Sequence, residues 1–147
     1  MKNIFKIILK QPTIIMAKLW IISAGDFDGS QNIIPVIANS KAQVGAHIKN
    51  NVEKFMPIFE GLFFCKHSHG DVYRHLRKWY SEENFLNTIN DNKDYRAKFI
   101  DAVKKVLNSM TDNQIIEQLP GYNGATEECI YVCINETPLE NLCDIRQ

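Results

Sequence analysis

No stretch of about 18 consecutive apolar residues occurs in this 147-residue chain, so its sequence offers no transmembrane helix. Its four cysteines, Cys65, Cys129, Cys133 and Cys143, lack the spacing of a disulfide framework. The opening MKNIFKIILKQPTII makes a poor signal peptide, because Lys6 and Lys10 interrupt the apolar stretch and no small-residue cleavage site follows. The expectation is a cytoplasmic chain with reduced thiols. Met16 offers an alternative start, and residues 1 to 15 read as a loosely attached N-terminal extension. There is no glycine loop for a phosphate, no G-x-S-x-G elbow and no H-E-x-x-H pair, so the common signatures of nucleotide, serine-hydrolase and zinc-protease chemistry are missing. Net charge is also missing: seventeen basic residues cancel seventeen acidic ones, and no overall field draws the chain to a polyanion or to a membrane.

What is present is the composition of one ordinary globular domain, 45% apolar and 23% charged, spanning residues 1 to 147. KLWIISAG and QNIIPVIAN surround a polar turn and predict a hairpin with strands over 18–24 and 32–38. Pro35 places the second run at an edge or a bulge. Asn39 and Ser40 supply cap chemistry for a helix whose stripe is Val44, Ile48, Val52, Phe55 and Phe59, with Pro57 expected to kink or end it. IFEGLFFCKH is short and apolar, and fits either the end of that helix or a third strand. Helical pattern resumes at Asp71, after Ser81, and across 93–110, where Tyr95, Phe99, Val103, Val106 or Leu107, and Met110 form a stripe. Thr111 with Gln114 is a capping box for one more helix, ended by Pro120, and CIYVCIN, 129–135, reads as a strand. The order predicts an α+β fold: a small, mostly antiparallel sheet, made of an N-terminal hairpin plus a C-terminal strand, packed by four to five helices.

Three surfaces carry candidate chemistry. CKHSHGDVYRH brings Cys65, His67, His69, Asp71 and His75 into eleven positions, and zinc takes sulfur and imidazole ligands at about 2.0 to 2.3 Å. If extended, Cys65, His67 and His69 share one side at a backbone spacing of about 6.6 Å, which makes a metal-dependent hydrolase with zinc one alternative. HSHGD resembles the H-x-H-x-D core of the metallo-β-lactamase-fold hydrolases over five residues. Val72 stands where that motif has its next histidine, and no histidine follows His75, so the chain is not placed in that family. Asp26 and Asp28 begin like a calcium loop, but Ile37 stands where the bidentate glutamate belongs. Cys129 and Cys133, four residues apart on a strand, stand about 13 Å from each other, too far for a chelate or a disulfide.

A weak RNA or single-strand binder is the second alternative, through Tyr73, Arg74 and Arg77 on the 66–80 basic helix. The helical wheel puts Val72, Leu76 and Trp79 on the buried stripe with Tyr80 at its margin, and pairs His75 with Asp71 one turn earlier. The third surface is electrostatic. Residues 1 to 110 hold sixteen Lys/Arg against ten Asp/Glu, whereas residues 111 to 147 hold only Arg146 against seven acids. An acidic C-terminal face with Tyr122, Glu127, Glu128 and Tyr131 suits a partner protein with a basic surface, unless that face pairs with the chain's own basic helices. The leading expectation is therefore a non-enzymatic protein-binding module of the inhibitor, immunity or phage/mobile-element accessory type, without a cofactor.

Overall fold

The computed structural model describes residues 17–25, 31–64, 70–119 and 132–138. Three strands, β1 (Lys18–Gly25), β2 (Gln31–Ala38) and β3 (Val132–Pro138), form one antiparallel sheet in the order β2-β1-β3. The hairpin register runs without a bulge from Lys18 opposite Ala38 to Gly25 opposite Gln31. β3 lies on the other side of β1, with Lys18 opposite Pro138 and Ala24 opposite Val132. β2 is therefore an edge strand, the position in a sheet that tolerates Pro35. The C-terminal strand ends three residues later than the sequence pattern places it, and 129–131 lie outside the described residues.

Six α-helices follow the hairpin among the described residues: α1 (Lys41–Asn50), α2 (Met56–Gly61), α3 (Asp71–Tyr80), α4 (Phe85–Asp91), α5 (Lys93–Asn108) and α6 (Asp112–Glu117). α1 starts where Ser40 accepts the Gln43 N–H at 3.3 Å, the bond expected of an N-cap serine. The break after it differs from the sequence reading. α1 stops at Asn50, a 3₁₀ turn carries Val52–Phe55, and Pro57 lies in the first turn of α2. Proline costs nothing in a first turn, where its missing N–H has no helical acceptor, so here it opens a helix instead of closing one. All five residues of the predicted stripe are nevertheless buried, because the bent path keeps them on one side. IFEGLFF belongs to α2 and a following 3₁₀ turn, Leu62–Phe64, not to a third strand.

α4 begins after Asn84, the one non-glycine residue with positive φ (59°) among those described. Asparagine is among the residues that tolerate this conformation. α6 carries the complete capping box, with Gln114 N–H on Thr111 Oγ1 at 3.3 Å and Thr111 N–H on Gln114 Oε1 at 3.0 Å. It ends at Glu117, before Pro120 is reached.

The described helices pack on one face of the sheet. Trp20, Ile22, Ile34, Val36, Ala38 and Ile134 point into a continuous core with Val44, Ile48, Phe55, Phe59, Leu76 and Phe99. Trp20 also donates its indole N–H to the Ala38 carbonyl at 3.1 Å, so the buried ring leaves no orphan donor. Among the described residues no polar or charged residue is fully buried. α1 and α6 approach closely at Gly45, where a methyl group would overlap the main-chain carbonyl of Asp112.

Candidate functional site

α3 runs from Asp71 to Tyr80, the limits that the helical pattern predicts; of the 66–80 basic helix, residues 66–69 lie outside the described residues. Val72 and Leu76 are fully buried, but the aromatic pair is placed the other way round from the wheel. Tyr80 is the deeply buried ring, donating its hydroxyl to the Phe59 carbonyl at 2.7 Å, while Trp79 is half-buried against Tyr95 and Phe99. The wheel counts only angles along α3. The Phe59 carbonyl, supplied by α2, is what draws the tyrosine inward.

The polar side of α3 is partly committed. Arg74 pairs with the Asp71 carboxylate. His75 does not pair with that carboxylate: its Nδ1 lies 2.7 Å from the Asp71 main-chain carbonyl, a contact that needs a proton on Nδ1, and the ring is exposed. His75 is thus neither a core-packing residue nor an imidazole held by a carboxylate. Tyr73 stacks on Tyr80, 5.5 Å between centroids and 14° between planes, so one of its faces is already covered. Arg77 and Lys78 project into solvent. This is the arrangement of a solvated amphipathic helix bearing a few exposed cations.

Cys65, His67 and His69, like Asp26 and Asp28, lie outside the described residues. Among the described residues no three His, Cys, Asp or Glu side chains converge on a metal-sized space. Among the described residues Tyr95 is the one titrating group with a clear shift: burial, and after it the nearby Glu82 carboxylate, push its hydroxyl up to about 12. No hydrogen bond of good geometry reaches that hydroxyl, nor the Trp79 indole N–H, among the described residues. The two rings meet edge to face at 5.4 Å in the packing between α3 and α5.

The electrical split along the chain has a visible outcome. Three of the seven C-terminal acids are described, and each pairs with a lysine from the N-terminal half: Glu136 with Lys18 at 3.3 Å, Glu117 with Lys41 at 3.1 Å and Asp112 with Lys49 at 3.0 Å. Lys49 also donates to the Met110 carbonyl at 3.0 Å. These pairs are self-pairing of the acidic quarter, the arrangement set against a free acidic face in the sequence reading. Tyr122, Glu127, Glu128 and Tyr131 lie outside the described residues, in the segment leading into β3.

Two surface features were missed from sequence. On the outer side of the sheet Ile33 and Ile37 are 58% and 67% exposed, the only large apolar side chains so exposed among the described residues. Pro35 stands between them, also exposed. The signal was present in IIPVI, which is apolar at both parities and so makes both faces of the strand apolar. Along the free edge of β2 runs a groove of about 370 Å³, with Pro35 to Ala38 on one wall and Gln43, His47 and Lys54 on the other. His47 is held by an edge-to-face contact with Phe55 at 5.5 Å, and the Lys54 ammonium stands 5.7 Å from the same ring. Chemically, the site combines exposed aliphatic surface, strand edge and hydrogen-bond donors, which suits binding a chain better than transforming a substrate. No protein-family profile matches this sequence, no curated protein matches it, and no solved structure matches it, so the reading of function rests on this geometry.

Proposed function

We propose that the chain is a non-enzymatic module that works by binding another protein, and that it docks through the side of the sheet turned away from the helices. The single observation that carries the reading is the exposed Ile33, Pro35 and Ile37 row on an edge strand. Exposed aliphatic residues grouped on one strand are a feature of interaction surfaces, and the aqueous cost of leaving them bare is recovered when a partner covers them. The acidic residues Glu127 and Glu128, with Tyr122 and Tyr131, precede β3 in the sequence and are the second part of this proposal. They set association rate and partner choice, favouring a basic partner, while the aliphatic row supplies affinity.

The test compares three forms of the full chain as bait: native, Ile33→Asp with Ile37→Asp, and Glu127→Lys with Glu128→Lys. The proposal expects a partner to be captured by the native form, identified, purified and shown to bind directly. The first variant abolishes that binding and the second slows association, both with thermal midpoints close to native. A partner that binds all three forms equally refutes the reading.

A further inference from the structure

Resting on the reading of the chain as a protein-binding module, we infer a second contact site: the groove between β2 and α1 receives an extended, acidic segment of a partner protein, which adds to the sheet as a fourth strand. Among the described residues β2 pairs only with β1, so at alternate positions its main-chain N–H and C=O groups point away from the sheet. Such an edge, flanked by a helix, is the arrangement that peptide-binding domains use for strand addition. Here α1 supplies the flank, and the groove spans Pro35 to Ala38. Four residues at about 3.3 Å each leave room for about four residues of added strand.

The pairing cannot spread far in either direction. Pro35 has no N–H to offer, and strand alternation turns only every second residue of β2 outward. Ile37, of the same parity as Pro35, is therefore the centre of the contact, offering main-chain N–H and C=O together with exposed aliphatic surface. This limit also keeps the edge from recruiting strands indiscriminately.

The charge of the occupant follows from the opposite wall. Lys54 is exposed and has no ion pair among the described residues. Gln43 uses its side-chain oxygen to accept the Asn39 N–H at 2.8 Å, which leaves its amide N–H₂ as donors. No acidic side chain lines this groove among the described residues. Glu53 borders a separate depression of about 280 Å³ on the other side of Lys54, so a carboxylate approaching Lys54 from β2 avoids it. A wall of donors without an acid selects a ligand rich in acceptors and negative charge, and an extended segment with Asp or Glu at alternate positions meets both demands.

The experiment pans a library of random eight-residue peptides, displayed on phage, against the full chain. Selected peptides are synthesised and their affinity measured by fluorescence anisotropy. The proposal expects apolar residues alternating with Asp or Glu, amide shift changes centred on Val36, Ile37, Gln43 and His47, and about fivefold or greater weakening by Lys54→Glu at low salt. Because Lys54 is exposed and has no ion pair among the described residues, its variant keeps the native thermal midpoint. No enrichment, enrichment without acidic bias, or equal binding to Lys54→Glu overturns the proposal. Much tighter binding to a Glu140→Gln, Asp144→Asn variant also overturns it, by assigning the groove to the chain's own residues 139–147. Loss of peptide binding while the partner of the previous section still binds sinks only the groove. Loss of both sinks the module reading as well.

Discussion

Ile34 and Ile33 are neighbours on β2, and one is 8% exposed while the other is 58% exposed. The same division runs through the sheet: Trp20, Ile22, Ile34, Val36, Ala38 and Ile134 face the helices, while Ile33, Pro35 and Ile37 face away from them. Strand alternation fixes that the two sets are opposed, but not which set is covered. The helix layer decides it. α1, α2 and the long α5 bring Val44, Ile48, Phe59, Phe99 and Val103 against one side, while Ile33 and Ile37 on the other side stay exposed. Isoleucines on the two faces of one strand thus have unequal value for stability.

A matched pair of truncations tests this most sharply. Ile22→Ala, at a fully buried site, should cost about 2 to 5 kcal/mol, whereas Ile37→Ala on the outer face should cost less than about 1 kcal/mol, both read by urea unfolding. Equal costs would mean that the outer face is packed in solution. Next in size is Gly45→Ala, which attacks the helix layer itself. The added methyl meets the Asp112 carbonyl, a main-chain atom that cannot rotate away, and the expected loss is about 2 kcal/mol despite the better helix propensity of alanine. If the variant is as stable as the native chain, α1 and α6 do not touch as described.

A smaller effect concerns pH. Burial holds the Tyr95 hydroxyl at about 12 in the folded chain, against 10.0 for an ordinary tyrosine, so below about pH 10 both folded and unfolded forms keep the proton. As pH rises from about 10 to about 12 the unfolded form ionises first, and stability falls. Tyr95→Phe should flatten the stability profile in that window relative to the native chain, and an unchanged slope would place Tyr95 in water. The smallest expected change is in the thermal midpoint of Ile33→Asp with Ile37→Asp, which should move by only about 1 to 2 °C while solubility rises.

Local chemistry was legible in the sequence where one residue decides the outcome. Ser40 as a cap, the Thr111 and Gln114 box, and the limits of α3 are of that kind. Pro57 shows the limit of such reading: its effect depends on whether the chain has already left the helix, and the break at Asn51 came from packing. The exchange of roles between Trp79 and Tyr80 has the same origin, since the deciding acceptor sits on α2, about twenty residues upstream. The pairing of Lys18, Lys41 and Lys49 with the distant acids Glu136, Glu117 and Asp112 was legible only as an imbalance between two parts of the chain. Which cation meets which acid depends on how helices and strands dock. As for the candidate site, Pro35 announced the edge strand, but the groove beside it needed α1 in place.

The central position of β1 between β2 and β3 has a consequence for the order of events at the ribosome. β1 is made early and finds β2 at once, but its second neighbour, from Val132 to Pro138, emerges only after about a hundred further residues. At ~5 to 20 residues per second that interval is roughly 5 to 20 s. During it the nascent hairpin presents the long side of β1, including the stretch from Leu19 to Ser23, to whatever is nearby. Sheet completion thus waits for β3, and truncated products that stop short of β3 carry an open strand suited to aggregation or to capture by a chaperone.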